Sequence, residues 1–175
     1  MKKLDRSFYE QDSLEVARSL LGKTLVFNNY KGIITETEAY MGFEDPASHA
    51  FRGRTKRTEI MFGEAGFSYV YLIYGMYYCL NFVTEKKDFP SAILIRGLLI
   101  YEPVKLLLDG PGKICKLLGI TKEQNGVDII NSENFYVADT GQTLEYSVSS
   151  RIGIKTGLDK MWRFVANLKN TPLTN

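Results

Sequence analysis

Glu36, Glu38 and Tyr40 occupy alternate positions of the run Gly32-Ile33-Ile34-Thr35-Glu36-Thr37-Glu38-Ala39-Tyr40, and His49, the only histidine of the chain, follows in the next loop. In an extended strand successive side chains point to opposite faces. The two carboxylates and the phenol therefore share one face, while Thr35, Thr37 and Ala39 share the other. Two carboxylates beside an aromatic ring point to general acid/base chemistry. A solvated strand end with a tyrosine at its rim has the same sequence, so this run alone leaves both readings open.

Other residues narrow the choice. Arg52, Arg54, Lys56 and Arg57 lie between Phe51 and Thr58 with no acid until Glu59; such clusters contact phosphates, although a solvated charge run looks the same. Tyr69, Tyr71, Tyr74, Tyr77 and Tyr78 crowd a short stretch, and flat rings suit a planar ligand, since each stacked nucleobase gains about 1–3 kcal/mol. Tyr69 and Tyr78 fit core packing equally well. Tyr74 differs, because a large side chain at the tip of a tight hairpin projects outward and can wedge into a base stack. Asn81 is an amide within an apolar strand and needs a partner, from the protein or from a ligand. Arg96 closes the apolar run Ala92-Ile93-Leu94-Ile95 and calls for an anion.

These residues must be placed by regular elements. Asp12-Ser13 can cap a helix running to about Leu21, with Leu14, Ala17, Leu20 and Leu21 on its apolar face and Gly22 as its stop. Thr24 to Phe27 and Gly32 to Tyr40 read as a hairpin turned at Asn28-Asn29-Tyr30, and the charged, Gly-containing stretch Met41 to Ala65 as a functional loop or irregular helix. A second hairpin pairs Ser68 to Ile73 with Tyr77 to Val83 through a turn near Tyr74-Gly75-Met76, its register left open. A three-residue turn at Gly75 to Tyr77 would set Tyr71 opposite Asn81, and a two-residue turn would shift that pairing by one. Ala92 to Leu98, Phe135 to Ala138, Leu144 to Val148, Arg151 to Ile154 and Arg163 to Val165 read as strands. Short helices are expected over Lys113 to Leu118, after the break Gly110-Pro111-Gly112, and near Thr121 to Asn125. The expected fold is α+β, a single domain with a curved, mainly antiparallel β-sheet flanked by short helices.

Composition sets outer bounds. The chain has 175 residues and a formal net charge of +2, so one core is the default and a globally basic surface is ruled out. No run of about 18 apolar residues is present and the N-terminus lacks a signal-peptide core, so a soluble, cytoplasmic protein is expected. Cys79 and Cys115 lie in apolar surroundings as reduced core thiols would, and with one histidine no His/Cys metal site or other cofactor is expected.

The blocks Glu36-Thr37-Glu38-Ala39-Tyr40, Glu44-Asp45-Pro46-Ala47-Ser48-His49 and Tyr69-Val70-Tyr71-Leu72-Ile73-Tyr74-Gly75-Met76-Tyr77-Tyr78-Cys79-Leu80-Asn81 closely resemble those of the alkyladenine (3-methyladenine) DNA glycosylase family. Leu94-Ile95-Arg96, Gly110-Pro111-Gly112-Lys113-Ile114-Cys115 and Arg151-Ile152-Gly153-Ile154 follow in the family's order, so residues 1–175 read as one catalytic domain. The resemblance implies a monofunctional enzyme of DNA repair, acting as a monomer on double-stranded DNA in the nucleoid. It would flip damaged purines from the stack and hydrolyse the N-glycosidic bond. It implies Glu38 as the base that activates water, a choice geometry leaves open between Glu38 and Glu36. Arg96 and the carbonyl of Ile152 would help hold the water. Tyr71 would cover one face of the base and Tyr40 with His49 the other. Asn81 would crowd the 2-amino group of normal guanine, Tyr74 would fill the vacated space with Met76 beside it, and the basic loop would reach the backbone. Two rival classes remain: a non-catalytic nucleic-acid-binding module with the same tyrosines, and a glycoside hydrolase using Glu36 and Glu38. The second is poor, because carboxyls two apart on one strand point in parallel instead of flanking a bond.

Overall fold

The two longest strands, each of 12 residues, pair antiparallel along most of their length and form the spine of the molecule. The computed structural model describes residues 1–169. In chain order the elements are β1 (Lys2–Lys3), α1 (Arg6–Tyr9), α2 (Ser13–Ser19), β2 (Thr24–Phe27), β3 (Tyr30–Met41), β4 (Ser68–Ile73), β5 (Tyr77–Val83), β6 (Ser91–Glu102), β7 (Leu106–Asp109), α3 (Pro111–Leu118), β8 (Phe135–Asp139), β9 (Tyr146–Ser149) and β10 (Arg163–Ala166). Single 3₁₀ turns at Gly42–Glu44, Glu59–Phe62 and Lys122–Gln124 interrupt the loops.

The sheet runs β1-β8-β2-β3-β6-β5-β4, all antiparallel. Both spine strands change neighbours halfway. β3 pairs with β2 through Ile33 and with β10 from Glu36 onward; β6 pairs with β5 through Leu94 and with β7 from Gly97 onward. The two switches lie side by side and coincide with register breaks in the β3–β6 ladder. Bulges of this kind add twist and bend a sheet, which curls this one into an open half-barrel.

One face of the curl carries the main core. α2 packs on β3 and β6, and α3 on β5 and β6. Ala17, Leu20, Ile34, Ile95, Leu98 and Ile114 are fully buried there, and burying a side chain such as Leu20 contributes about 1.5–3 kcal/mol. Asp12 caps α2 by accepting from the Leu14 and Glu15 amides at 2.9 and 3.2 Å. The Thr37 hydroxyl donates to the Ala17 carbonyl at 2.8 Å, which fixes the other face of β3 outward.

The expected α+β architecture is present, with several local differences. Lys2–Lys3, Arg6–Tyr9 and Leu106–Asp109 are additional elements, and β6 extends to Glu102, so that Arg96 sits mid-strand. Arg151 to Ile154 forms no strand: Gly153 has φ +74°, and the Ile152 amide is spent on a side chain instead of a ladder. The second hairpin turns at Tyr74-Gly75-Met76, as expected, and pairs Tyr71 with Cys79 and Tyr69 with Asn81, a register that the sequence left open. In the turn Tyr74 adopts φ 53° beside Gly75 at φ 67°. Cys79 and Asn81 are alternate residues of β5, so Tyr71 and Asn81 point the same way. Among the described residues no helix is long and apolar enough to cross a membrane.

Candidate active site

Across the sheet, Tyr69 faces Asn81, Asn81 faces Leu94, Leu94 faces Glu38 and Glu38 faces Arg163. Directly opposed residues share a face, so this row and its alternate neighbours Tyr40, Tyr71, Cys79 and Arg96 line the side away from the main core. A cleft of about 720 Å³ lies over them, walled by Tyr40, His49, Tyr71, Tyr74, Tyr77, Arg96 and the loop from Ile152 to Thr156.

The register breaks aim the charged groups. Ile34 pairs with Leu98, Glu36 with Gly97 and Thr37 with Ile95, so Thr35 and Arg96 are the unpaired, bulged residues. A Cβ on Gly97 would stand 2.5 Å from Thr35 Oγ1 and 2.8 Å from Glu36 Cβ, so only glycine allows the two strands this approach.

Glu38 is completely buried. Its Oε1 accepts from the Ile152 amide at 2.7 Å and lies 3.5 Å from Arg96 Nε, while Oε2 accepts from the Tyr40 hydroxyl at 2.8 Å. Burial raises its pKa above the ordinary carboxylate range, and Arg96, the Ile152 amide and Tyr40 partly offset that rise. Glu36 is engaged differently: Arg163 Nε and Arg96 Nε both donate to its Oε1, at 2.6 and 3.1 Å. Arg96 thus bridges the two acids and lies closer to Glu36. Ile152 reaches Glu38 through its amide, a contact separate from the one expected of its carbonyl to the water.

His49 groups with Tyr71, not with Tyr40. Their rings meet edge to face at 4.5 Å, and His49 Nδ1 lies 3.1 Å from the Tyr69 hydroxyl. Much of His49 is exposed by surface area, yet its ring is crowded enough that desolvation, helped by Arg57, pushes its pKa down to about 4 and keeps the imidazole neutral. Arg57 lies 5.3 Å from the Tyr71 ring. Between Tyr40 and the His49–Tyr71 pair a recess of about 20 Å³ reaches Asn81 and Met61, room for about one water. Asn81 Nδ2 donates to the Tyr69 and Cys79 carbonyls at 3.0 and 3.4 Å, so the protein supplies a partner.

The turn residues Tyr74 and Met76 are 78% and 66% exposed beside this cleft. Arg52, Lys56 and Arg57 are exposed, but Arg54 is tied to Glu59 at 2.8 Å and to Asp88 at 2.6 Å. Among the described residues no cluster of three His, Cys, Asp or Glu side chains could hold a metal ion.

A buried carboxyl that accepts from a backbone amide and a phenol beside an arginine, at the floor of an aromatic cleft, is an arrangement suited to general acid/base chemistry next to a flat ligand. The sequence profile of the methylpurine-DNA glycosylase family matches residues 7–170. The chain belongs to this family. A relative from Rickettsia rickettsii is 58% identical over 172 residues, covering 98% of this chain and 92% of its own. One from Sodalis glossinidius is 59% identical over 161 residues, covering 92% and 95%, and one from Ehrlichia chaffeensis 57% over 165 residues, covering 93% and 92%. All three are provisionally named 3-methyladenine DNA glycosylase. Membership makes the chain a DNA-repair glycosylase, a hydrolase of N-glycosyl bonds.

The sequence reading missed Arg163, Asp45 and Arg151. Arg163 carried a signal of the same kind as Arg96, a lone arginine in an apolar strand. Asp45 and Arg151 lie 106 residues apart, so no local pattern joins them. Lys113 and Lys155 also line the cleft.

Proposed function

We propose that the protein is a monofunctional glycosylase that flips alkylated or deaminated purines of the 3-methyladenine, 7-methylguanine and hypoxanthine type out of duplex DNA and releases them with a Glu38-activated water. The observation that carries this is the complete burial of the Glu38 carboxyl at the floor of an aromatic cleft, accepting from the Tyr40 hydroxyl and the Ile152 amide beside Arg96. A binding module has no use for a buried anion that costs several kcal/mol to desolvate, which disfavours the non-catalytic alternative.

In this reading Tyr74 fills the gap in the stack, and the extruded base lies between Tyr40 and the His49–Tyr71 pair. Cationic purines gain about 0.5–2 kcal/mol from the ring faces. Asn81, with its amide nitrogen committed to the sheet, crowds a 2-amino group and disfavours guanine. As the N-glycosidic bond breaks, its electrons leave with the base, and positive charge grows on the deoxyribose. Glu38 stabilises that charge and takes the proton of the water that adds to the sugar carbon. Arg96 favours the ionised form of Glu38, and Glu36 holds Arg96 in place. Tyr74, Met76 and the basic loop meet the DNA, and a single copy working in the cytoplasm on nucleoid DNA suffices.

Single-turnover release of hypoxanthine or 3-methyladenine from duplex DNA tests this. Glu38→Gln is expected to bind damaged duplex as wild type does and to lose at least about 10²–10⁴-fold in rate. A wild-type protein that binds damaged DNA but frees no base would establish the binding module instead, and full activity in Glu38→Gln with loss in Glu36→Gln would transfer the role to Glu36.

A further inference from the structure

Behind Tyr40 lies a buried ion pair that the chemistry above does not use. Arg151 and Asp45 have side chains wholly withdrawn from solvent and pair in a fork, Nη1 to Oδ2 at 2.5 Å and Nη2 to Oδ1 at 2.7 Å. Nη1 also donates to the Ala39 carbonyl at 2.9 Å, and Asp45 accepts from the Met41 and Ala47 amides, each at 3.1 Å. The guanidinium carbon lies 4.7 Å from the centroid of the Tyr40 ring and 5.1 Å from that of Trp162. Gly157 makes room for it, since a Cβ there would approach Nη2 to 2.9 Å.

Stability is a poor reason for such a pair, because a packed apolar substitute often serves a fold as well or better. Its connections are more telling. Asp45 is followed directly by Pro46 and Ala47, and Arg151 by Ile152 to Thr156, and both segments are walls of the cleft. The first residue after Arg151 supplies the amide that holds Glu38 Oε1 at 2.7 Å. One fork therefore clamps two loops to β3 at the level of the acid. The planar guanidinium adds what a point charge would not: two fixed directions toward Asp45, and a flat face laid on Tyr40.

We propose that Arg151 and Asp45 are positioning residues for the excision reaction, their ion pair holding the Tyr40 ring and the Ile152 amide against Glu38. The proposal rests on Glu38 as the base. The charged and titratable groups facing Glu38 are Glu36 and Tyr40 on its own strand, Arg96 on β6, Cys79 on β5 and Arg163 on β10. The Ile152 amide joins them as the donor the clamp controls, and as a donor to the carboxylate it favours the ionised form.

The test is the pH dependence of single-turnover hypoxanthine release from duplex DNA by wild type, Arg151→Lys and Asp45→Glu. Both variants keep the charges; Arg151→Lys loses the fork, and Asp45→Glu displaces it by one methylene. Their affinity for damaged duplex should stay within about twofold of wild type, because neither side chain reaches the surface. Their rate should fall by about tenfold to a hundredfold, with the acid limb moved to higher pH as Glu38 loses its amide donor. An unmoved acid limb overturns the proposal, whether the rate is unchanged or merely scaled down with the folded fraction. So does failure of both variants to fold at any temperature where wild type works, which assigns the pair to the fold alone. A wild-type protein that releases no base counts against the glycosylase reading itself, and that result is separate from these.

Discussion

As the proposed base, Glu38 would carry a charge that its burial opposes. Burial raises its pKa, and the nearby Arg96, the Ile152 amide and the Tyr40 hydroxyl only partly offset this. A carboxyl whose folded pKa exceeds its unfolded value contributes stability below the unfolded pKa, and that contribution is lost as pH rises through the folded pKa. Ionised at neutral pH, as the proposed reaction requires, the side chain would therefore be a net burden on the fold. Glu38→Gln should consequently raise the melting temperature at neutral pH while abolishing base release, and the gain should shrink toward about pH 4, where a free carboxyl is itself largely protonated. Calorimetry of the two proteins across that range decides it; a variant less stable than wild type at neutral pH would mean that the Arg96, Tyr40 and Ile152 contacts outweigh burial. The pairing of Glu36 and Glu38 on one face was legible from alternation alone. Their division of labour was not, because it depends on Arg163 and the Ile152 amide, which reach β3 from more than 100 residues away.

At the scale of elements, most strands declared themselves through β-branched and aromatic runs, and Thr24–Phe27, Ser68–Ile73 and Tyr77–Val83 fall where the sequence placed them. The turn of the second hairpin at Tyr74-Gly75-Met76 was legible too, whereas its register was left open. A left-handed tyrosine is not what turn chemistry leads one to expect, since a bulky side chain at positive φ costs roughly 1–2 kcal/mol. Tyr74 holds that conformation while 78% exposed, with no packing to compensate. Strain without a structural return is the mark expected of a wedge that works on another molecule. Tyr74→Gly should therefore stabilise the free protein by about 0.5–1 kcal/mol in urea denaturation, and at the same time weaken binding to damaged duplex. Tyr74→Phe, which keeps ring and strain, should do neither. Loss of stability in the glycine variant would show that the turn depends on the ring, and unchanged DNA binding would remove the wedge.

For the whole molecule, the curl of the sheet is the feature least visible in the sequence. It comes from β3 and β6 exchanging neighbours at one level, and neither Thr35 nor Gly97 announces a bulge without its partner strand. That level is where Glu36, Glu38 and Arg96 converge, so the deformation that closes the half-barrel also assembles the acids. Recognition of DNA must then be local, because a formal net charge of +2 gives little long-range field. The basic loop, read from sequence as four equivalent cations, is not uniform. Arg54 is already matched by Glu59 and Asp88 and lies 4.6 Å from the Phe62 ring, and Arg57 is laid over Tyr71. Arg52 and Lys56 are exposed with no ion pair among the described residues. Each cation that neutralises a phosphate adds about 0.9 to the slope of log affinity against log salt. The double variant Arg52→Ala/Lys56→Ala should thus flatten that slope by about 2 for undamaged duplex between about 50 and 200 mM salt, measured by fluorescence anisotropy. Arg54→Ala should leave it nearly unchanged, because its removal frees two carboxylates instead of losing a phosphate contact. Equal flattening by Arg54→Ala would mean that DNA breaks the Glu59 and Asp88 pairs and remodels the loop on binding.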